Sequence, residues 1–372
     1  MSAIYLHIPF CKRLCGYCDF FKSVKLQHLD AVLDAMEREV VAQRDFLSDH
    51  TVETIYFGGG TPSLVAPERI ARLLEIIAQH YSLERLREVT IEVNPDDITP
   101  QYLDALRAAG VNRLSIGIQS FDDQELRFMN RRHSAAQAVE SVRAAQNAGF
   151  DNITIDLIFG VEGFGEEVLR QSIATALSLG VQHISAYHLT IESGTPFARK
   201  VERGAMSVVS DEQSQREYEI LERELQKAGY EHYEVSNYAL PGFRSRHNSS
   251  YWQGVQYLGI GPAAHSYNGV ERRFAVGAID YYLAEGEERY ESELLSLEDR
   301  YNELVMTSLR CCEGIDLDAF DQTFPQHFRD FLIENLKQWQ RDGYIIIKNR
   351  RVFIPTEHFM ISDAVIESLF HY

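Results

Sequence analysis

This chain of 372 residues is poor in cysteine, in basic side chains and in long apolar runs. Only 5 cysteines occur, and two of them, Cys311 and Cys312, are adjacent, so they rarely form a good disulfide with each other. We expect this pair to be buried core residues. No apolar stretch reaches the length of a transmembrane helix. Lys and Arg number 36 against 55 Asp and Glu, and the net charge of −19 argues against a nucleic-acid partner.

These absences narrow the class of protein. With 45% hydrophobic residues the chain can bury a sizeable core, and its length suits one large domain with a smaller one. The first residues run directly into an apolar strand pattern, so we expect no signal peptide. The sequence therefore predicts a cytoplasmic protein that reaches a membrane only through a partner, peripherally at the inner membrane.

The other three cysteines, Cys11, Cys15 and Cys18, lie within eight residues and directly follow the apolar run 4–8. Three thiolates on one loop can hold three irons of a four-iron cluster, and no fourth cysteine lies nearby. One iron would then be open to an outside ligand. The alternative is a structural zinc site with His7 or Asp19 as fourth ligand, although zinc motifs usually contain two C-x2-C pairs.

Short strand-like runs alternate with longer helical patterns, which predicts βα units and a parallel sheet. Six units indicate an α/β fold, a partial (β/α)6 barrel open on one side, with its site at the C-terminal ends of the strands. The cysteine loop follows the first strand and so falls on this rim. We predict strands at 4–8, 53–57, 88–93, 112–117, 153–158 and 182–187, and helices at 26–47, 67–80, 100–109, 134–149 and 166–179.

The regular alternation of strand-like and helical segments ends after residue 187. A charged helix near 211–228 and a strand at 230–235 complete a core domain that we place at 1–235. Residues 237–270 are dense in Gly, Ser, Asn and aromatics. We predict an ordered loop and connecting region over 236–297. The pattern over 298–372 is three helices, a hairpin and a last helix, which predicts a small winged-helix-like α+β domain.

The cysteine loop after an apolar strand resembles the radical S-adenosylmethionine (SAM) superfamily. The resemblance implies that the open iron binds SAM through its amine and carboxylate. It also implies that an electron from the cluster splits SAM into methionine and a 5′-deoxyadenosyl radical. Glycines that allow close approach, and polar side chains that can bond a nucleoside, stand at the ends of successive strands. These are Gly59, Gly60, Thr61, Glu92, Gln119, Arg131 and Asp156.

The segments 7–11, 57–62, 92–95 and 117–121 resemble the oxygen-independent coproporphyrinogen III oxidase family, and the similarity runs nearly end to end. The chain departs from the family pattern after Gly160, where Val-Glu-Gly stands in place of Leu-Pro-Gly. The resemblance implies a [4Fe-4S] cluster on the three clustered cysteines. The SAM contacts that it implies are Tyr5, Tyr17, Gly59, Gly60, Thr61, Glu92, Gln119, Arg131 and Asp156.

Within that family the chain is similar to the heme-chaperone branch. The decarboxylating oxidase has a further cysteine two residues after the triplet, where this chain has Phe20, and it has an N-terminal extension. The chaperone branch carries a His-Asn-x-x-Tyr-Trp signature, which this chain has at 247–252. Imidazole is a common axial ligand of heme iron, so the resemblance implies that His247 binds heme, with His265 as the fallback. The residues alone leave open that His247 bonds its neighbours.

The resemblance therefore implies a heme chaperone that binds a [4Fe-4S] cluster, SAM and heme. It would transfer heme to an acceptor such as a respiratory heme protein at the membrane, and no residue is assigned a catalytic role. Two alternatives stay open: a radical SAM decarboxylase acting on coproporphyrinogen III in porphyrin biosynthesis, and a protein whose metal site is purely structural.

Overall fold

Six parallel strands, each with a largely buried apolar run, form the core of the sheet in this computed structural model, which describes residues 1–284 and 289–371. Successive strands pair in register in the order in which they occur in the chain, as right-handed βα units do. The strands are β1 (Ser2–Ile8), β2 (Val52–Gly59), β3 (Glu88–Val93), β4 (Arg113–Gln119), β5 (Ile153–Phe159) and β6 (His183–His188). The α/β barrel class predicted from the sequence is confirmed.

Amphipathic helices connect these strands and pack their apolar faces against the sheet. Their bounds agree with the predicted helices to within a few residues, except that the first is shorter than predicted at both ends. The helices that follow β1 to β5 are α1 (Leu29–Ala42), α2 (Pro67–His80), α3 (Pro100–Ala108), α4 (Asp123–Phe128), α5 (Ala135–Asn147) and α6 (Glu166–Leu179). After β6 come α7 (Pro196–Glu202) and α8 (Asp211–Lys227).

The sheet extends well beyond the six predicted strands. On the β6 side it adds β7 (Glu231–Glu234) and β8 (Asn237–Ala239) as an antiparallel hairpin. On the β1 side it adds β9 (Gln256–Ile260), which runs parallel to β1, and then three antiparallel strands. These are β10 (His265–Tyr267), β11 (Glu271–Ala275) and β12 (Tyr290–Leu294).

The predicted loop region is therefore wrong for residues 237–270, which contain strands and the short helix α9 (Arg246–Trp252). The glycine content misled the prediction, because a Cβ on Gly259 would collide with the carbonyl oxygen of His265 on the neighbouring strand. That glycine allows close strand contact and does not mark a loop. The domain boundaries at 236 and 298 stay a prediction, and residues 285–288 and 372 within those ranges lie outside the described residues.

The C-terminal segment has the order helix, strand, helix, helix, hairpin, helix, which agrees with the predicted winged-helix-like arrangement. Asn349 and Arg350 form the hairpin turn with φ angles of 51° and 58°, as a two-residue turn of this kind requires. These elements are α11 (Leu297–Ser308), β13 (Ile315–Asp316), α12 (Leu317–Thr323), α13 (Gln326–Arg341), β14 (Ile346–Lys348), β15 (Arg351–Phe353) and α14 (Ser362–Glu367). The short helix α10 (Ile279–Leu283) precedes them, between β11 and β12.

The adjacent cysteines and the helices of this fold bear on two predictions from the sequence. Cys311 and Cys312 are free thiols and only partly buried, so they are less deeply placed than expected. Among the helices in the described ranges, none combines the length and the apolar character that crossing a bilayer requires.

A buried carboxylate fixes the start of α9 to the barrel. Glu88 opens β3 and is 2% exposed, and its two oxygens accept the backbone N–H groups of Arg246 and His247 at 3.0 Å each. Arg113, at 1% exposure, places its guanidinium Nε 4.0 Å from the same carboxylate. An anion at a helix N-terminus is favourable, and the nearby cation offsets its burial.

Glu88→Ala should lower the free energy of unfolding in urea by about 3 kcal/mol, because it leaves a buried guanidinium without its ion-pair partner and two backbone amides without their acceptor. The matched control is Glu75→Ala, whose side chain is 66% exposed and forms an ion pair with Arg72 on the same helix. That change should stay within about 0.5 kcal/mol. Equal losses in the two variants would contradict the anchoring role.

Candidate functional site

A cavity of about 410 Å³ opens at the C-terminal ends of the barrel strands. Cavities of this size suit a small-molecule ligand. The structure brings eleven of the thirteen predicted site residues into its wall. They are Cys11, Cys15, Tyr17, Cys18, Gly59, Gly60, Thr61, Glu92, Gln119, Arg131 and Asp156.

The cysteine loop is fixed by backbone hydrogen bonds from three directions. At its base, the N–H of Cys11 donates to the carbonyl of Ser23 at 2.9 Å. In its middle, Gly16 donates to Met129 at 3.0 Å and accepts from the N–H of Phe197 at 2.9 Å. A side chain on Gly16 would collide with the Phe197 ring, so glycine is needed for this close contact.

Hydrogen-bond donors face two of the three sulfurs. The hydroxyl of Thr61 lies 3.5 Å from Cys11 Sγ, and Nη1 of Arg131 lies 3.3 Å from Cys15 Sγ. Burial raises the pKa of the Cys11 and Cys18 thiols, and a bound metal would offset this because it stabilises the thiolate. Donors directed at sulfur also tune an iron–sulfur cluster, so this donor set fits one.

The three sulfurs are not arranged around a single ion. Within the described ranges, no three side chains of His, Cys, Asp or Glu come close enough to share one metal. In a cluster each thiolate binds a different iron, so wider separation is expected. His7, one proposed fourth zinc ligand, has both ring nitrogens in hydrogen bonds of 3.1 Å, to the Tyr5 hydroxyl and the Phe21 carbonyl. Asp19, the other, lies in the cavity wall.

The glycine turn after β2 brings backbone into the cavity wall. Gly59 has φ 110°, a conformation that favours glycine, and a Cβ there would lie 2.7 Å from the His7 ring. A Cβ on Gly60 would lie 2.7 Å from the backbone nitrogen of Phe10, which precedes the first cysteine. The turn and the cysteine loop are therefore in direct contact through backbone atoms.

Two partly buried carboxylates face the cavity from β3 and β5. Glu92 accepts from the Tyr56 hydroxyl at 2.9 Å and from the N–H of Gly59 at 3.1 Å. Burial raises the pKa of Glu92 to about 7, and the neighbouring Asp156 adds to the rise. Burial also raises the pKa of Asp156 to about 6. Both groups can accept from sugar hydroxyls when they are ionised.

Gln119 and Arg131 complete this wall from β4 and the segment after α4. Gln119 has φ 72°, which is unusual for a residue with a side chain, and it lies where the β4–β5 register shifts. Strained backbone of this kind occurs preferentially at ligand sites. Besides its contact with the cysteine sulfur, Arg131 donates to Asn94 Oδ1 at 2.8 Å and to the carbonyl of Gly117.

Tyr5 and His247 are the two predicted residues that lie outside this wall. His247 is 1% exposed, and both ring nitrogens are 2.9 Å from hydroxyl oxygens, Nδ1 from Thr54 and Nε2 from Tyr251. Its ring stacks on Tyr56 at 5.0 Å and on Tyr5 at 6.3 Å between centroids. Ligation of heme iron by His247 would require one of these hydrogen bonds to break. The fallback, His265, is exposed and stacks on Phe274 at 5.3 Å.

A second cavity, of about 800 Å³, adjoins the first and was not predicted from the sequence. Tyr187, His188 and Thr190 at the end of β6 line both cavities. The position of Tyr187 at a strand end was the signal that could have identified it, as it did for Glu92 and Asp156. Asn248, Tyr251 and Trp252 of α9 line the second cavity.

Comparison with known proteins finds two family matches along the chain. Residues 5–176 match the family described as the Radical SAM superfamily, and residues 295–357 match the HemN C-terminal domain. The chain is 34% identical to heme chaperone HemW of Lactococcus lactis over 98% of this chain and 96% of that protein. It is 33% identical to heme chaperone HemW of Bacillus subtilis over 98% of each.

Among solved structures, the chain is similar to coproporphyrinogen III oxidase (HemN) from Escherichia coli, which is described as a radical SAM enzyme. The TM-score is 0.85 at 24% identity, with all of this chain and 90% of that one covered. At this identity the likeness establishes the fold alone.

Glu92→Gln should weaken binding of SAM, the ligand that the resemblance implies, by about tenfold at pH 8, because a charged acceptor is lost. With a pKa of about 7 for Glu92, the ionised acceptor form is lost as the pH falls. Wild-type affinity should therefore rise between pH 6 and pH 8, while the variant lacks the step near pH 7. Equilibrium dialysis of labelled SAM with anaerobically reconstituted protein measures both.

The control is Glu125→Gln. Glu125 is 5% exposed, burial raises its pKa to about 7 as well, and it lies outside the cavity wall. Its variant should keep the wild-type pH profile. A Glu92→Gln protein that retained the step near pH 7 would show that this carboxylate does not contact SAM.

Proposed function

The chain belongs to the family of the heme chaperone HemW proteins within the radical SAM superfamily, and we propose that it binds a [4Fe-4S] cluster, SAM and heme and transfers heme to an acceptor protein. One observation carries this proposal. Three residues of the His-Asn-x-x-Tyr-Trp segment, Asn248, Tyr251 and Trp252, line a cavity that shares a wall with the cavity of the cysteine loop. Adjoining cavities of this kind would let one chain hold SAM beside its cluster and heme next to SAM, as the proposal requires.

The residues that would hold the cluster and SAM are those of the first cavity. Cys11, Cys15 and Cys18 would each bind one iron, and Thr61 and Arg131 would direct donors at two of the sulfurs. When bound, the cluster supplies the single electron that cleaves SAM. The glycine turn would leave room for the methionine part of SAM.

The remaining part of SAM would lie against the polar residues at the strand ends. Glu92 and Asp156 would accept hydrogen bonds from the ribose hydroxyls. Gln119 and Tyr17 lie in the same wall and would complete these contacts. Tyr5 would act indirectly, because its hydroxyl bonds His7, which lies against the glycine turn.

We propose a carrier rather than an enzyme. Phe20 occupies the position of the further cysteine of the oxidase, and its side chain is 65% exposed at the mouth of the first cavity. No residue is assigned to decarboxylation. The acceptor that the resemblance implies is a respiratory heme protein at the membrane, which a cytoplasmic carrier would meet by docking on it.

Anaerobic reconstitution should give about four irons and four acid-labile sulfides per chain, as a [4Fe-4S] cluster contains. Cys15→Ser should lose most of both, because it removes one of three protein ligands. Cys312→Ser, which changes a thiol in the C-terminal part, should retain them. Zinc without iron or sulfide would instead identify a structural metal site.

Added heme should bind the purified protein and give a Soret band, and incubation with an apo-acceptor should move the heme to the acceptor. With coproporphyrinogen III, SAM and a reductant, no protoporphyrinogen should form, since Phe20 stands where the decarboxylating oxidase has its further cysteine. Porphyrin chromatography measures this second reaction. Protoporphyrinogen formation in SAM-dependent amounts would establish the decarboxylase instead.

A further inference from the structure

The His-Asn-x-x-Tyr-Trp segment presents different residues to its two sides. Asn248, Tyr251 and Trp252 line the second cavity, whereas His247, also a described residue, is not part of its wall. His247 points into the barrel, where both of its nitrogens are engaged and its ring is covered by Tyr5 and Tyr56. The residue expected to bind iron is therefore the one that faces away from the cavity.

The second cavity has the surfaces that a flat, amphipathic porphyrin requires. Trp252, Phe359 and Met360 give it apolar walls, and soft or aromatic side chains of this kind pack well against a macrocycle. Three buried polar atoms of its lining residues have no hydrogen-bond partner among the described residues. They are Nε1 of Trp252, Oε1 of Glu234 and Oδ1 of Asn237.

Such atoms point to a ligand because a buried polar group without a partner is costly. Glu234 and Asn237 are 1% and 5% exposed, so bulk water does not satisfy them, but their oxygens are acceptors, which an ionised heme propionate does not satisfy either. The indole N–H of Trp252 is a donor that a heme propionate could accept from. Heme binding in this cavity would give at least that donor its missing partner.

A third cavity, of about 770 Å³, also touches Tyr251 and Trp252 but is less suited to heme. Arginines in both cavities already have acidic partners: Arg244 and Arg272 of the third pair with Glu231 and Glu303, and Arg310 of the second pairs with Asp363 at 2.6 Å. Among the described residues, the third cavity shares no lining residue with the cavity of the cysteine loop, whereas the second adjoins it. The second cavity is therefore the better site for a heme held beside SAM.

We propose that heme binds in the second cavity with the phenol oxygen of Tyr251 as the axial ligand of its ferric iron, and that His247 is a positioning residue for that phenol. This assignment rests on the proposed function. Tyrosine is an established axial ligand of heme iron. The oxygen would replace the hydroxide that ferric heme carries in water, and the phenolic proton would leave with that hydroxide as water. Atoms and charge balance without an added oxidant or reductant.

The role of His247 follows from its contacts. Its Nε2 lies 2.9 Å from the Tyr251 hydroxyl, one helical turn further along α9, and Thr54 holds its other nitrogen. A partner of this kind orients a metal ligand, and its loss typically weakens metal binding without removing the ligand. Glu88 fixes the backbone of the same turn, so both ends of this connection are anchored.

The test is a titration of the full-length protein with ferric heme, followed by absorption and resonance Raman difference spectroscopy. Wild type should show a high-spin ferric heme with a phenolate-to-iron charge-transfer band. Tyr251→Phe should lose this band. His247→Ala should keep the band but bind heme about tenfold more weakly. Tyr257→Phe, which changes a neighbouring ring 4.6 Å away outside the second cavity, should behave as wild type.

The location is tested separately with tryptophan fluorescence. The chain has 2 tryptophans, so Trp339→Phe leaves Trp252 as the single reporter. Stoichiometric heme should quench its emission, and absence of quenching would overturn a site lined by Trp252. Because Trp252 also touches the third cavity, Phe359→Ala, which changes the second cavity alone, should weaken heme binding, and unchanged binding in that variant would overturn the choice of cavity. Urea unfolding and iron content of each variant establish that it is folded.

The outcomes separate this assignment from the proposed function. If folded Tyr251→Phe keeps the wild-type spectrum while His247→Ala loses it, His247 is the ligand and the assignment is overturned. If wild type binds heme but neither variant changes the spectrum, the ligand lies elsewhere and the assignment again fails. If wild type binds no heme, the proposed function itself fails.

Discussion

The site depends on one geometric constraint: parallel strands that pair in sequence order end at the same rim of a sheet. The cysteine loop follows β1, the glycine turn follows β2, and carboxylates stand on β3 and β5, so groups separated by more than a hundred residues in the chain share one wall. Hydrogen bonds between the loops then fix their positions. The backbone contact between Gly60 and Phe10 couples the second unit to the first, and the bond from Gly16 to Met129 couples the first to the fourth.

The sequence predicted the strands best where both faces of a strand are buried. Strands that helices cover on the outer face and packed side chains cover inside the barrel need continuous apolar runs. Such runs, bounded by turn residues, predicted β1 to β6 closely, with β3 matched at both ends. The strands β8 to β12 have three to five residues each, and β9 contains Gly259, so they carry no comparable signal. Their existence depends on pairing with β1 and β6, which is a tertiary effect that no local pattern contains.

The same reasoning explains which site residues could be predicted. The cysteine spacing and the polar residues at strand ends were visible in the sequence, and the family resemblance supplied the full set of SAM contacts. Eleven of the thirteen predicted residues line one cavity. The direction of a side chain on the short helix α9 was not predictable, because it depends on how that helix is anchored. Glu88 holds the first turn of α9 so that His247 enters the barrel while Tyr251 and Trp252 line the second cavity.

The wall between the two cavities is built to be rigid. His188 bonds Ser214 Oγ through Nε2 at 2.9 Å, and it packs so closely on Gly160 that a Cβ there would lie 2.6 Å from its ring. Gly160 in turn has φ 74° and donates its N–H to the buried carboxylate of Glu217 at 2.7 Å. The chain departs from the family pattern directly after this glycine, where Val161 is 1% exposed and packs in a small apolar cluster. Because closely packed interiors transmit displacement, a ligand that moved Tyr187 or His188 from one side would alter the shape of the cavity on the other. If SAM and heme bind as proposed, this shared wall is the part of the structure through which each would affect binding of the other.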